Sequence, residues 1–135
     1  MPIPAFSPAW AAAFLVAVNS DADYRSAAQG WTNPVALVVA PELGVTDGVA
    51  VQVDLQAGTC ISAAALAPDE VSAPFVLTGA LAAWKEIVAD GTDPIAAVAR
   101  GKVRLTRGSL GTLMMHAKAA KALLACAQKV ETLWP

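Results

Sequence analysis

His116 is the only histidine in the chain, and one imidazole sets a low ceiling on the chemistry available. A metal centre built from several histidines is excluded, and any histidine-based nucleophile pair would rest on this residue alone. On a helix its neighbours four positions away are Thr112 and Ala120, and neither orients an imidazole as a carboxylate would. A structural histidine is therefore expected. Asp69 and Glu70 are adjacent acids, but neighbours on an extended segment point apart, so they read as a solvated loop. Cys60 falls in an expected strand and Cys126 in an expected helix, with no spacing that suggests a metal site or a disulfide scaffold. Buried free thiols are expected. The phosphate-cradling G-x-x-x-x-G-K-[ST], the dinucleotide G-x-G-x-x-G and the nucleophile G-x-S-x-G are all absent. The expectation is a non-enzyme without metal or cofactor.

What the chain has in excess is apolar surface. Hydrophobic residues make up 56% of 135, mean hydropathy is +0.53 and charged residues are 15%, against about 25% charged in ordinary soluble domains. Alanine accounts for much of this, and an Ala-rich helical composition with an ordinary core is one reading; the other is that the remaining Leu, Val, Ile, Met and Trp line an internal cavity or an apolar interface. Residues 1–135 read as one domain, large enough to bury a core without staples. The run Ala9 to Val18 is shorter than the roughly 20 residues a membrane span needs. Pro2, Pro4 and Pro8 stand where an export signal would carry cations. A cytoplasmic protein without an anchor is expected.

Charge is unevenly placed. From Arg100 onward there are seven cations and one acid, and before it two cations and ten acids, so the two parts carry +6 and −8. A cationic end beside an apolar helix could meet an anionic head group or an anionic membrane. Equally, Lys102 and Arg104 could simply solvate an edge strand and discourage strand addition. Nucleic acid is not an expected partner, given a pI near 5.2 and no basic-aromatic motif.

The elements that must position these residues follow from period and punctuation. Ser7-Pro8 opens a helix with Trp10 and Phe14 on one face, and Asp21 to Gln29 a second carrying Tyr24, stopped by Gly30. Pro34 to Val39 is the first strand. After a turn at Gly44 to Gly48, Val49, Val51, Val53 and Leu55 alternate with Ala50, Gln52 and Asp54. Gln56-Ala57-Gly58 turns the chain into a small-residue strand, Thr59 to Leu66, where Ser62 to Ala65 leave room beside them. Phe75 to Thr78 is a further strand, and Leu81, Trp84, Ile87 and Val88 share a helical face. Asp93-Pro94 caps the next helix, Gly101 ends it, and Lys102 to Arg107 alternates cation with apolar residue. Ser109 then starts a long helix bearing Leu110, Leu113, Met114, Ala117 and Leu124 on one face.

This order of parts resembles the sterol carrier protein type 2 family of lipid-binding domains. The resemblance lies in Leu77-Thr78-Gly79 ending a strand, Gly91-x-Asp93-Pro94, Ala99-Arg100-Gly101-Lys102, Val103-Arg104-Leu105 and a final apolar helix. It continues upstream through Trp10, Tyr24, Trp31 and the Val53-Asp54-Leu55-x-x-Gly58 run, so it covers nearly the whole chain. It implies an α+β fold with a five-stranded, mainly antiparallel sheet covered by helices, the first three strands a meander, and an apolar cavity between sheet and helices. It also implies a carrier that binds a fatty acid, a fatty acyl-CoA or a sterol-like molecule in an apolar tunnel.

Facing positions then nominate a wall of Phe75, Leu77, Trp84, Val88, Val98, Leu105, Leu110, Leu113, Met114 and Ala117, with the cavity opposite Ser62 to Ala65 and beside Met114. The last helix changes its apolar face, from the Leu110 to Leu124 set to Leu123, Ala127, Val130 and Trp134. Either the segment bends or breaks near Leu124 to Cys126, or its second half packs against something else, a tunnel mouth or another protomer, and Val130, Leu133 and Trp134 are expected as a movable cover. The alternative is an apolar interaction module, spending the same surplus on a homodimer or on an enzyme partner.

Overall fold

The computed structural model describes residues 2–44 and 46–134. Val45, in the expected Gly44 to Gly48 turn, and Pro135, after the expected cover, lie outside the described residues. In chain order the elements are β1 (Ile3–Pro4), α1 (Pro8–Asn19), α2 (Ala22–Ala27), β2 (Val35–Val39), β3 (Val49–Gln56), β4 (Thr59–Leu66), β5 (Phe75–Gly79), α3 (Leu81–Asp90), α4 (Pro94–Ala99), β6 (Val103–Arg107), α5 (Leu110–Met115), α6 (Ala117–Gln128) and β7 (Thr132–Leu133).

Five strands form one sheet in the order β4-β3-β2-β5-β6. β2, β3 and β4 are the antiparallel meander; β5 lies parallel to β2, pairing Val35 with Phe75 and Val39 with Gly79, and β6 returns antiparallel to β5. The fold is thus α+β with a mainly antiparallel sheet. All five residues of β2 are buried, which marks a central strand covered on both faces. On one face Leu37, Val51, Val53, Leu55 and Leu77 join the main core under the helices. On the other, Ala36, Val38, Ala50, Ala73 and Val76 form a second, thin core. Gln52 pins the segment that covers it: its Oε1 accepts from the backbone N–H of Ser72 at 2.9 Å and of Ala73 at 3.0 Å.

Local chemistry explains the element ends. Ser7, Asp21, Asp93 and Ser109 each accept a backbone N–H in the first turn of the helix that follows. The β3–β4 hairpin turns through Ala57 and Gly58, both at positive φ, 50° and 93°, the geometry that matches strand twist. Gly58 must be glycine for a second reason, since a Cβ there would stand 2.7 Å from the carbonyl oxygen of Arg25. The hairpin tip is thereby clamped onto α2.

The small-residue strand does not face the methionine-bearing helix. β4 packs against α1, so the expected cavity opposite Ser62 to Ala65 is not formed there. Nor does the last helix bend near Leu124 to Cys126. α6 runs unbroken to Gln128, and the chain breaks instead at His116, whose φ of −111° and ψ of 30° separate α5 from α6. α6 buries Leu123, Leu124, Cys126 and Ala127 together because α1 and α2 pack on it as well as α3 and α4. Two apolar faces need two surfaces, and a central helix has them.

The end of the chain is tied down. β7 pairs in parallel with β1, Ile3 opposite Thr132, and the indole Nε1–H of Trp10 donates to Thr132 Oγ1 at 2.9 Å. Val130 is buried, Trp134 packs on the core and Leu133 is exposed. That segment packs on β1 and α1 at the N-terminal side of the domain.

Asp21 joins the two ends of the helical layer. Its Oδ1 accepts the Tyr24 N–H at 2.9 Å and its Oδ2 accepts Lys129 Nζ at 2.6 Å and the Cys126 thiol at 3.5 Å. The hydrogen bond from Lys129, with that from the Tyr24 amide, holds the Asp21 carboxyl at about 2, below the ordinary 3.8. Folding thus favours the carboxylate, so its stabilisation is complete above pH ~4 and is lost as pH falls toward 2. Asp21→Asn is expected to flatten that acid limb of the thermal-melting profile, and Asp21→Ala to cost roughly 1 kcal/mol more through the lost cap. Acid limbs of equal slope in wild type and Asp21→Asn would contradict this.

Candidate functional site

Where sheet and helices meet, two small apolar chambers lie on either side of a common partition. The larger has a cavity volume of about 30 Å³ and is bounded by Tyr24 of α2, Trp31, Val35 and Leu55 from the sheet side, and His116, Ala119 and Leu123 from above. The smaller, about 10 Å³, lies under α3 and α4, bounded by Trp84, Ile87, Pro94, Ile95, Val98 and Val103. Leu77, Leu113, Ala120 and Leu124 border both. As they stand these chambers have room for no more than a water or two, since one water needs roughly 10 to 15 Å³, whereas a lipid-sized ligand needs a pocket of roughly 300 to 1,000 Å³.

The partition is unequal in stiffness. Leu77 is on β5 in the middle of the sheet, and Leu124 and Ala120 are on α6. Leu113 is on α5, a six-residue helix. Leu113 is its one buried residue, while Leu110 is 52%, Met114 47% and Met115 83% exposed. α5 is thus a short piece of chain held by one side chain in the core, between Gly108 and the break at His116.

The chamber's other end is firm. Trp31 and His116 meet edge to face with ring centroids 5.2 Å apart, and Trp31 also packs on Phe75 at 4.8 Å. Phe75 in turn occupies the space beside Gly108, where a Cβ would come within 2.5 Å of its ring. The Trp31 Nε1–H donates to Asn33 O at 2.8 Å and the Trp84 Nε1–H to Val38 O at 2.8 Å. Tyr24 is 1% exposed, and its hydroxyl is the one buried side-chain oxygen or nitrogen without a hydrogen-bond partner among the described residues. Burial pushes its phenol well above the ordinary range, so it stays a neutral hydroxyl with a proton to donate. Burial also pushes the Cys60 and Cys126 thiols up, to about 11 and about 12, so neither is a ready nucleophile.

Of the ten wall residues expected, Leu77, Trp84, Val98 and Leu113 border a chamber. Phe75 and Val88 are buried behind the walls, and Leu105 is half-buried at the core's edge. Ala117 is half-buried outside both chambers, and Leu110 and Met114 point to solvent. The break at His116 accounts for the last three. Reading one helix from Ser109 carried the α6 phase into α5, whereas the real turn rotates α5 so that only Leu113 faces in. Tyr24, Trp31, Leu55, His116, Ala120, Leu123 and Leu124 were not nominated, although the spacing 113, 116, 120, 124 is itself that of a helical face.

No helix among the described residues is long and apolar enough to cross a membrane. Compared with solved structures, the chain is similar to a crystal structure of sterol carrier protein 2, at 37% identity and a TM-score of 0.86, covering 93% of this chain and 98% of that one. It is similar also to a conserved hypothetical protein of Thermus thermophilus, there suggested to be a sterol carrier protein, at 36% identity, a TM-score of 0.86, and coverage of 95% and 90%. The apo form of sterol carrier protein 2 from Yarrowia lipolytica shares the fold, at 15% identity, a TM-score of 0.58, and coverage of 87% and 88%. No family model matches the chain, and no curated protein matches it.

A large ring at the partition should separate wall from surface. Ala120→Trp is expected to overpack both chambers and destabilise by roughly 1 to 3 kcal/mol. Met114→Trp, on the exposed side of α5, should change stability by less than about 0.5 kcal/mol. Urea unfolding of the two variants checks this, and equal costs would mean the partition is not where the chambers place it.

Proposed function

The chain belongs to the sterol carrier protein 2 family, and from that membership we propose that it binds and carries a lipid without converting it chemically. The observation that carries the reading is a pair of apolar chambers divided by four side chains, one of them on a loosely anchored helix. Outward movement of α5 withdraws Leu113 and joins the chambers into one tunnel, running from Tyr24 and His116 to Val98. Dispersion and burial then reward any chain-like apolar ligand, at about 25 cal/mol per Å² of apolar surface. Such walls discriminate weakly, so fatty acids, fatty acyl-CoA and sterol-like molecules all remain within the class. Two buried free cysteines fit a cytoplasmic place of work.

The same helix supplies a meeting place with a bilayer. Leu110, Met114 and Met115 are exposed on α5, between the cations Arg104 and Arg107 before it and Lys118 and Lys121 after it. An anionic membrane suits that combination at about 1 kcal/mol per cation near the surface, and contact there would draw α5 outward as the ligand is exchanged.

Stopped-flow mixing with a fluorescent fatty acid tests the reading. Leu113→Ala is expected to cost roughly 2 to 5 kcal/mol of stability and to take up the probe faster than wild type. Ala120→Trp should take up none, and Met114→Trp should bind as wild type does in the absence of membranes. Organic extraction of protein purified from cells should release lipid detectable by mass spectrometry. A stable dimer that releases no lipid and takes up no probe would assign the chain to the other class, an apolar interaction module.

A further inference from the structure

We propose that β4 is a dimerisation edge, on which a second copy of this chain pairs antiparallel about a two-fold axis at Ala64, joining two five-stranded sheets into one. The inference goes beyond the lipid reading and does not depend on it.

β4 ends the sheet, with β3 as its one strand neighbour, and the register shows which of its backbone groups look outward. Facing residues of an antiparallel ladder alternate between pairs that exchange both hydrogen bonds and pairs whose N–H and C=O turn away from each other. Cys60, opposite Leu55, is of the second kind: its N–H donates to Asn19 Oδ1 at 2.8 Å and its C=O accepts from Asn19 Nδ2 at 2.9 Å. The Asn19 amide, at the end of α1, thus stands in for a further strand there. Val53 and Val51 are in phase with Leu55 on β3, so their partners Ala63 and Ala65 also turn N–H and C=O toward the open edge. No side chain or loop among the described residues bonds to Ala63 or Ala65, and their neighbours Ser62 and Ala64 are exposed.

An open edge is a template for another strand unless charge or proline guards it. β6, at the opposite edge, carries Lys102, Arg104 and Arg107 on or beside it. β4 has no such guard. No Lys, Arg, Asp or Glu occurs from Gln56 to Pro68, nor from Met1 to Ser20, the stretch that contains α1. That absence selects the partner, because about a two-fold axis each residue comes near its own copy, and a charged strand repels itself where a neutral one does not. With the axis at Ala64, Ala63 exchanges hydrogen bonds with the partner's Ala65, and Ala65 with the partner's Ala63. Methyl side chains let the two backbones close.

Hydrogen bonds that replace water contribute modestly, so apolar burial has to add to them. Val16 and Ala12 precede Asn19 on α1 at the helical repeat, which puts them on the face that reaches the β4 edge. Both are exposed, Val16 by 61%, and Ile61 of β4 is 58% exposed. A second copy seated on the edge covers this flank. None of the residues bordering either chamber is on α1 or β4, so pairing leaves α5 free in each copy.

Sedimentation equilibrium of the full chain, 13.8 kDa as a monomer, tests the edge with wild type, Ala64→Lys and Ala64→Glu. Residue 64 is exposed, so both variants should keep the circular dichroism spectrum of wild type. Wild type is expected to be a dimer at about 0.1 mM. Each variant sets like charges together at the axis and should weaken the dimer roughly tenfold or more. Mixed in equal amounts, the two variants should dimerise again, since opposite charges then meet. A wild type that stays monomeric up to about 1 mM, a variant that dimerises as tightly as wild type, or a mixture no more dimeric than its components would each overturn the proposal.

Discussion

The structure depends on one helix being thin. α6 packs against α1, α2, α3, α4 and α5, and a cylinder so surrounded needs side chains short enough for its neighbours to approach. Ala119, Ala120, Ala122 and Ala127 supply them, with Leu123 and Leu124 as the two larger wedges that reach the core on either side. Close packing gains dispersion energy over many atom pairs. It also explains the alanine content that makes the chain look so apolar by composition. Asp21 and Lys129 then fasten the C-terminal end of α6 to the start of α2, and Gln128 fastens it to α3 by donating to Ile87 O at 3.0 Å.

A helix fixed at one end and surrounded along its length leaves its other end as the place for compliance. There the chain departs from helical geometry at His116, and α5 lies on the domain with one leucine inside. The chambers are found where α5 and α6 cross the sheet because the short side chains of α6 cannot fill the space that Leu113 only partly occupies. Small voids beside a lightly held element and tight packing around a clamped one are two outcomes of the same alanine-rich helix.

The sheet is finished differently on its two faces. Under the helices it carries the large residues of the main core, and on the reverse it carries alanines and valines closed by the Val71 to Ala73 segment that Gln52 holds. β2, in the centre, is apolar throughout because both faces are dry, while β3 alternates because Gln52 and Asp54 on its outer face reach water and only Ala50 there is covered. β6, the cationic strand, lies at the sheet's edge, where Lys102 pairs with Glu86 at 3.0 Å. Such exposed pairs contribute little, and keeping an edge charged discourages further strand addition.

What the sequence by itself determined is the identity and order of the parts. Alternation in β3, the Asp93-Pro94 cap, the stops at Gly91 and Gly101 and the turn at Gly58 are local preferences that tertiary context left intact, and their order was enough for a family. Leu77, Trp84, Val98 and Leu113 were nominated from facing positions, and each borders a chamber. Tertiary structure decided the rest, because a period names the apolar face of an element without saying which other element will cover it. Two faces on one helix were read as a bend or as packing against a second surface, and α6 stays straight because helices cover it on both sides. The last residues were read as a cover, yet β7 found β1 at the far end of the chain, a pairing that no local signal announces. Tyr24 looked like one core aromatic among several until the fold buried its hydroxyl without a partner among the described residues, since whether a polar atom has a partner depends on residues distant in sequence, here brought together by α2, α6 and the sheet.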